Sequence, residues 1–137
     1  MQVILGGAFN GKRQYVKTQL KAIASHRIFT FEGELPADKA FTKEQFIIIG
    51  SFEKIIETRL HIDEDIVAEK LSAKLVQLDQ ETTVICICTD MSRGVVPLDQ
   101  KQRQLRDTCG RLYQKLCEES EQVVRVWYGI PQLLKGE

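Results

Sequence analysis

Three stretches of this chain are almost unbroken in β-branched and apolar residues: Ile47-Ile48-Ile49, Val84-Ile85-Cys86-Ile87 and Val123-Val124-Arg125-Val126. A strand with one face in water alternates polar and apolar side chains, so a continuous run predicts a strand covered on both faces, as in a parallel sheet. The strands predicted are Val3 to Gly6, Arg27 to Glu32, Phe46 to Ile49, Thr83 to Cys88 and Val123 to Tyr128. Between them apolar residues recur at helical spacing. Val16, Leu20 and Ile23 form one stripe, Val67, Leu71, Leu75 and Leu78 a second with Asp63 as N-cap, and Leu105, Cys109, Leu112 and Leu116 a third with Asp99 as N-cap just after Pro97. Strand and helix in alternation predict one doubly wound α/β domain over residues 1–137, with right-handed crossovers and helices on both faces. Gly33 to Lys39 reads as a surface loop.

Charge narrows the partners. Lys plus Arg and Asp plus Glu each number 19 and are interspersed. Nucleic acids and anionic membranes are captured by clustered positive charge, so neither is an expected partner. The opening residues Met1 to Gly7 show no charged leader followed by an apolar stretch, and no apolar run approaches spanning length, so a cytoplasmic protein is expected. Cys86, Cys88, Cys109 and Cys117 lack zinc-ribbon spacing and histidine companions, and read as buried reduced thiols.

The turn after the first strand carries the strongest local signal. Gly6-Gly7-Ala8-Phe9-Asn10-Gly11-Lys12-Arg13 matches G-x-x-x-x-G-K between a strand and a helix. In such a loop the backbone N–H groups converge on phosphates, the helix N-terminus adds partial positive charge, and the lysine reaches the outer phosphates. Lys12 is in register for that role. The bland alternative is that the glycines serve only a tight strand-to-helix turn. The next position, where Ser or Thr supplies a hydroxyl to Mg²⁺, is Arg13, which cannot ligate a cation but can pair with phosphate oxygens or face solvent. Neighbouring strand ends would supply the acid of a phosphoryl-transfer site. The third strand ends Ile49-Gly50-Ser51 without a carboxylate, Glu53 lies one helical step on, and Asp90 follows the fourth strand directly; Asp90 is the better candidate.

Beyond the fourth strand the chain reads Cys88-Thr89-Asp90-Met91-Ser92-Arg93-Gly94-Val95-Val96-Pro97, then Arg106-Asp107-Thr108-Cys109-Gly110-Arg111-Leu112-Tyr113-Gln114, and later Gly129-Ile130. With the N-terminal Gly-Gly-Ala loop, this combination resembles the adenosylcobinamide kinase/adenosylcobinamide-phosphate guanylyltransferase family. The resemblance implies a RecA-like P-loop fold. It also implies ATP or GTP as phosphoryl donor to the aminopropanol hydroxyl of adenosylcobinamide, GMP transfer through a guanylylated histidine, and a symmetric homo-oligomer. It assigns Gly6, Gly7, Gly11 and Lys12 to the phosphate loop, sets Asp90 where the family has Glu, and matches Gly94, Val96 and Pro97 to the loop before the helical motif of Arg106, Asp107, Gly110, Arg111 and Gln114. Read without the family, Gly110 in a helix interior predicts a close backbone approach, and each arginine is as readily a surface ion pair with Asp107 or Glu118.

The departures fall on the chemistry. The family's GMP-accepting histidine lies between strands two and three, but here Gly33 to Gln45 contains none, and His26 and His61 lie elsewhere. Arg13, Gly50 and Tyr113 also replace family residues, which leaves the need for Mg²⁺ open. Two readings remain. One is a reduced corrinoid kinase with Lys12 and Asp90 as catalytic residues and Gly6 to Arg13 holding the nucleotide. The other is a non-catalytic nucleotide-binding relative that regulates or assembles.

Overall fold

The computed structural model describes residues 1–37, 40–91 and 99–137. Five strands run parallel: β1 (Gln2–Gly6), β2 (Ile28–Glu32), β3 (Phe46–Gly50), β4 (Thr83–Thr89) and β5 (Gln122–Trp127). A sixth, β6 (Ile130–Lys135), returns antiparallel on β5, giving the order β2-β3-β4-β1-β5-β6. One strand, β4, lies between β1 and β3, the RecA-like arrangement that the resemblance implies. The helices are α1 (Lys12–Gln19), α2 (Phe52–Glu57), α3 (Glu64–Glu81) and α4 (Gln100–Glu119).

The continuous apolar runs are buried because side chains of alternate residues enter two different cores. On one face Val3, Ile47, Ile49, Val84, Cys86 and Cys88 pack with α2, α3 and α4 through Phe52, Val67, Leu71, Leu75, Leu112 and Leu116. On the other, Ile4, Ile48, Ile85, Ile87, Val124 and Val126 meet Val16 and Leu20. A fully buried leucine such as Leu75 contributes about 1.5 to 3 kcal/mol through area removed from water. Both predicted caps are made: Asp63 accepts from the Asp65 and Ile66 N–H groups, and Asp99 from that of Lys101.

Several expectations are corrected. Helix α1 ends at Gln19, so Ile23 lies beyond it, its N–H donating to Leu20 O in a turn. The fifth strand stops at Trp127, since Tyr128 (φ 48°) and Gly129 (φ 76°) form a tight hairpin turn with two left-handed residues. The segment Gly33 to Lys39 is not wholly surface: Pro36 is buried and Leu35 packs on the core, while Asp38 and Lys39 lie outside the described residues. Gly110 makes no close approach among the described residues; it is exposed, and a Cβ there would meet nothing within 4 Å beyond its own helix. Pro97 and the preceding Gly94 and Val96 also lie outside the described residues.

No helix among the described residues is long and apolar enough to cross a membrane.

Candidate functional site

At the carboxyl edge of the sheet the glycine-rich loop is shaped by close backbone approach. A Cβ on Gly6 would stand 2.6 Å from Val126 O and 3.3 Å from Cγ and Cδ of Lys12, so glycine lets the lysine chain fold back over the strand end. Gly11 caps α1 at φ 90°, with Gly129 Cα 3.3 Å from where its Cβ would be. The Gly129 N–H donates to Asn10 O at 2.8 Å, tying the β5–β6 turn to the loop. Phe9, at φ 62°, is the fully exposed residue of the loop.

Lys12 is 4% exposed, and its Nζ donates to Gly7 O at 2.6 Å. Burial, and then the neighbouring Arg13 charge, pull its pKa below the ordinary lysine range. An ammonium carries three N–H groups, and Gly7 O is its one hydrogen-bond partner among the described residues.

Arg13 points across the sheet edge to β2. Its Nε donates to Glu32 Oε1 at 2.9 Å and its NH2 to Oε2 at 2.8 Å, and Ser51 Oγ donates to the same Oε2 at 2.7 Å. The guanidinium holds the Glu32 carboxyl below its usual range, and the carboxylate raises Arg13 in turn. Glu32 is the register partner of Gly50. A Cβ on Gly50 would fall 2.8 Å from Glu32 Oε2 and 2.9 Å from Arg13 NH2, so the absent side chain provides the space that the ion pair fills. Ser51, at φ 56°, holds a left-handed conformation uncommon for a residue with a Cβ. These residues do not fit a magnesium ion. A guanidinium has no lone pair to offer and repels a divalent cation, and the carboxylate beside it is already committed.

The two candidate acids lie on the same edge. Asp90 follows β4, and its N–H donates to Gly6 O at 2.8 Å, fixing it beside the start of the loop. Glu53, on the first turn of α2, has Oε2 buried with no hydrogen-bond partner among the described residues, and its charge bears on both Lys12 and Arg13. Behind them the Tyr113 hydroxyl is buried against the Cys109 thiol, and burial pushes it far up. Burial likewise raises Cys86 and Cys109 to about 12, and holds Cys88 well above the ordinary thiol range. Such thiols stay protonated and unreactive.

Residues 29–134 match the family described as cobinamide kinase / cobinamide phosphate guanyltransferase, a span running from β2 into β6. The chain belongs to this family. No curated protein sequence matches it. Membership places the chain in cobalamin biosynthesis, among proteins whose chemistry is nucleotide-dependent group transfer. The match begins after Gly6 to Arg13, so the loop rests on its own geometry.

Within the cobinamide kinase helical motif, the arginines form ion pairs. Arg106 pairs with Asp107 at 3.1 Å. Arg111 reaches Asp65 at 2.9 Å and Glu64 at 3.6 Å on α3, rather than Glu118. Gln114 is exposed. His26 precedes β2 at the opposite edge of the sheet from the loop, His61 follows α2, and both are exposed. Sequence reasoning missed Glu32. It reads as the polar end of a strand, and only the pairing of β2 with β3 brings it beside Gly50 and Arg13.

Proposed function

We propose that this member of the cobinamide kinase / cobinamide phosphate guanyltransferase family binds a nucleoside triphosphate, GTP or ATP, over Gly6, Gly7, Ala8, Phe9, Asn10, Gly11, Lys12 and Arg13, and carries out no guanylyl transfer. The observation that carries the reading is Lys12: a buried ammonium folded back onto Gly7 O, at the N-terminus of α1, where phosphate oxygens would replace that carbonyl. Guanylyl transfer is excluded from the reading because no histidine lies between β2 and β3. Titration calorimetry with GTP and ATP tests the cradle. Lys12→Ala should weaken binding about 10- to 100-fold through loss of a charge-assisted contact. Equal affinity in both proteins refutes it.

A second reading, retained kinase activity, is favoured by the buried Oε2 of Glu53, which has no partner among the described residues. In it the cobinamide hydroxyl attacks the γ-phosphorus, a new P–O bond forms, and the bond to the bridging oxygen breaks. The hydroxyl proton passes to a carboxylate at this edge, Asp90 or Glu53. Mass measurement of adenosylcobinamide after incubation with nucleotide decides it, with Asp90→Asn and Glu53→Gln separating the two acids. We also propose a homo-oligomer that covers the exposed apolar residues Tyr128, Ile130, Leu133 and Leu134 of the β5–β6 hairpin. Light scattering that reports a monomer at micromolar concentration refutes this.

A further inference from the structure

We propose that Arg13 is a resident cation of the nucleotide site: clamped by Glu32 and Ser51 in the space that Gly50 leaves, its guanidinium stands in for Mg²⁺, and the loop takes a nucleoside triphosphate without metal. This rests on the loop being the nucleotide cradle proposed above. A metal-dependent phosphate loop draws on two protein groups around the ion, a hydroxyl at the position after the lysine and an acid at a neighbouring strand end. Here both positions are altered together, to Arg13 and Gly50, and the two changes meet in space. NH2 of Arg13 lies 2.9 Å from where a Gly50 Cβ would be. A side chain at that position would push the tips of Arg13 and Glu32 aside; glycine leaves the pair where it stands.

A further acid stands on the strand beside Gly50. Glu32 ends β2 opposite Gly50, and it grips the guanidinium through both carboxylate oxygens, at 2.9 and 2.8 Å. That two-point grip fixes the plane of the guanidinium, and the Ser51 hydroxyl, 2.7 Å from Oε2, fixes the carboxylate. Arg13 and Glu32 are 47% and 40% exposed, so solvent screens part of their attraction. The same exposure leaves the pair open to a ligand, and among the described residues NH1 of Arg13 has no hydrogen-bond partner. Arg13 follows Lys12 on the first turn of α1 and its charge bears on the Lys12 ammonium, so the clamped guanidinium stands close to any phosphate that Lys12 would hold. A guanidinium is charged at every accessible pH and matches two phosphate oxygens at once. Glu32 is therefore a positioning residue, acting on the nucleotide through Arg13.

Calorimetric titration of GTP and of ATP, each in EDTA and in Mg²⁺, reads the proposal directly. Wild-type protein should bind with the same affinity in both buffers. Arg13→Ser should lose about 10- to 100-fold in EDTA, the worth of one charge-assisted contact, and recover part of it in Mg²⁺, because the new hydroxyl and the freed Glu32 carboxylate give the metal oxygen ligands. Adding Glu32→Gln to that variant should abolish the recovery. A merely structural Glu32 would not move this metal dependence. Arg13→Lys, which keeps the charge without the two-point grip, should fall between wild type and Arg13→Ser in EDTA. Wild-type binding that requires Mg²⁺, or Arg13→Ser that binds in EDTA as well as wild type, overturns the inference and leaves the cradle standing. No binding of either nucleotide in either buffer overturns the cradle, and the inference with it.

Discussion

Replacing Gly110 by alanine should make the protein more stable. Gly110 lies in the interior of the 20-residue helix α4, is exposed, and among the described residues has nothing outside its own stretch of helix within 4 Å of the position a Cβ would take. Nothing in the described structure resists the methyl group. The gain is the helix-propensity difference, about 1 kcal/mol, arising from the freedom that glycine loses on folding. For a chain of this length that corresponds to a rise in melting temperature of about 3 to 5 °C. Urea unfolding followed by circular dichroism would read it as a shift of the midpoint at unchanged slope. A fall in stability would refute the reasoning, because it would mean that a backbone crosses this face of α4 in solution. If the loss also grows with protein concentration, the crossing element belongs to a second copy of the chain.

Three further outcomes are expected. Gly6→Ala forces a Cβ to within 2.6 Å of Val126 O, so it should cost about 1 to 3 kcal/mol by overpacking and weaken nucleotide binding by displacing Lys12; unchanged melting would refute the close approach. Because folding lowers the Lys12 pKa below 10.5, the unfolded chain binds more protons between the folded value and 10.5, and stability should rise with pH across that window. Lys12→Met should flatten that rise in a series of unfolding curves, and an unaltered profile would count against it. Incubation with GTP followed by intact-mass measurement should show no GMP adduct, and one mapping to His26 or His61 would reverse the reading of a lost guanylyl step.

The amino-acid sequence determined the features that depend on near neighbours in the chain. Continuous apolar runs specified strands buried on both faces, spacing specified the stripes of α3 and α4, and Asp63 and Asp99 specified where those helices begin. Gly6 to Lys12 was legible as a strand-to-helix loop because its glycines and lysine lie close together in the chain. Strand β6 was not legible. It is an exposed edge strand carrying Pro131, and its turn places Tyr128, not Asn or Asp, at a left-handed position. Gly110 misled because a glycine inside a helix signals either contact or nothing, and only the packing of α4 shows open space. The candidate site divides along the same line. Lys12 was assigned from its neighbours, whereas the partner of Arg13 depended on β2 pairing with β3, which sets Glu32 opposite Gly50 across 18 positions of sequence. Local pattern records whether a side chain is buried and where a helix starts. Which charges meet at a sheet edge is decided by long-range strand order, and so by the tertiary structure alone.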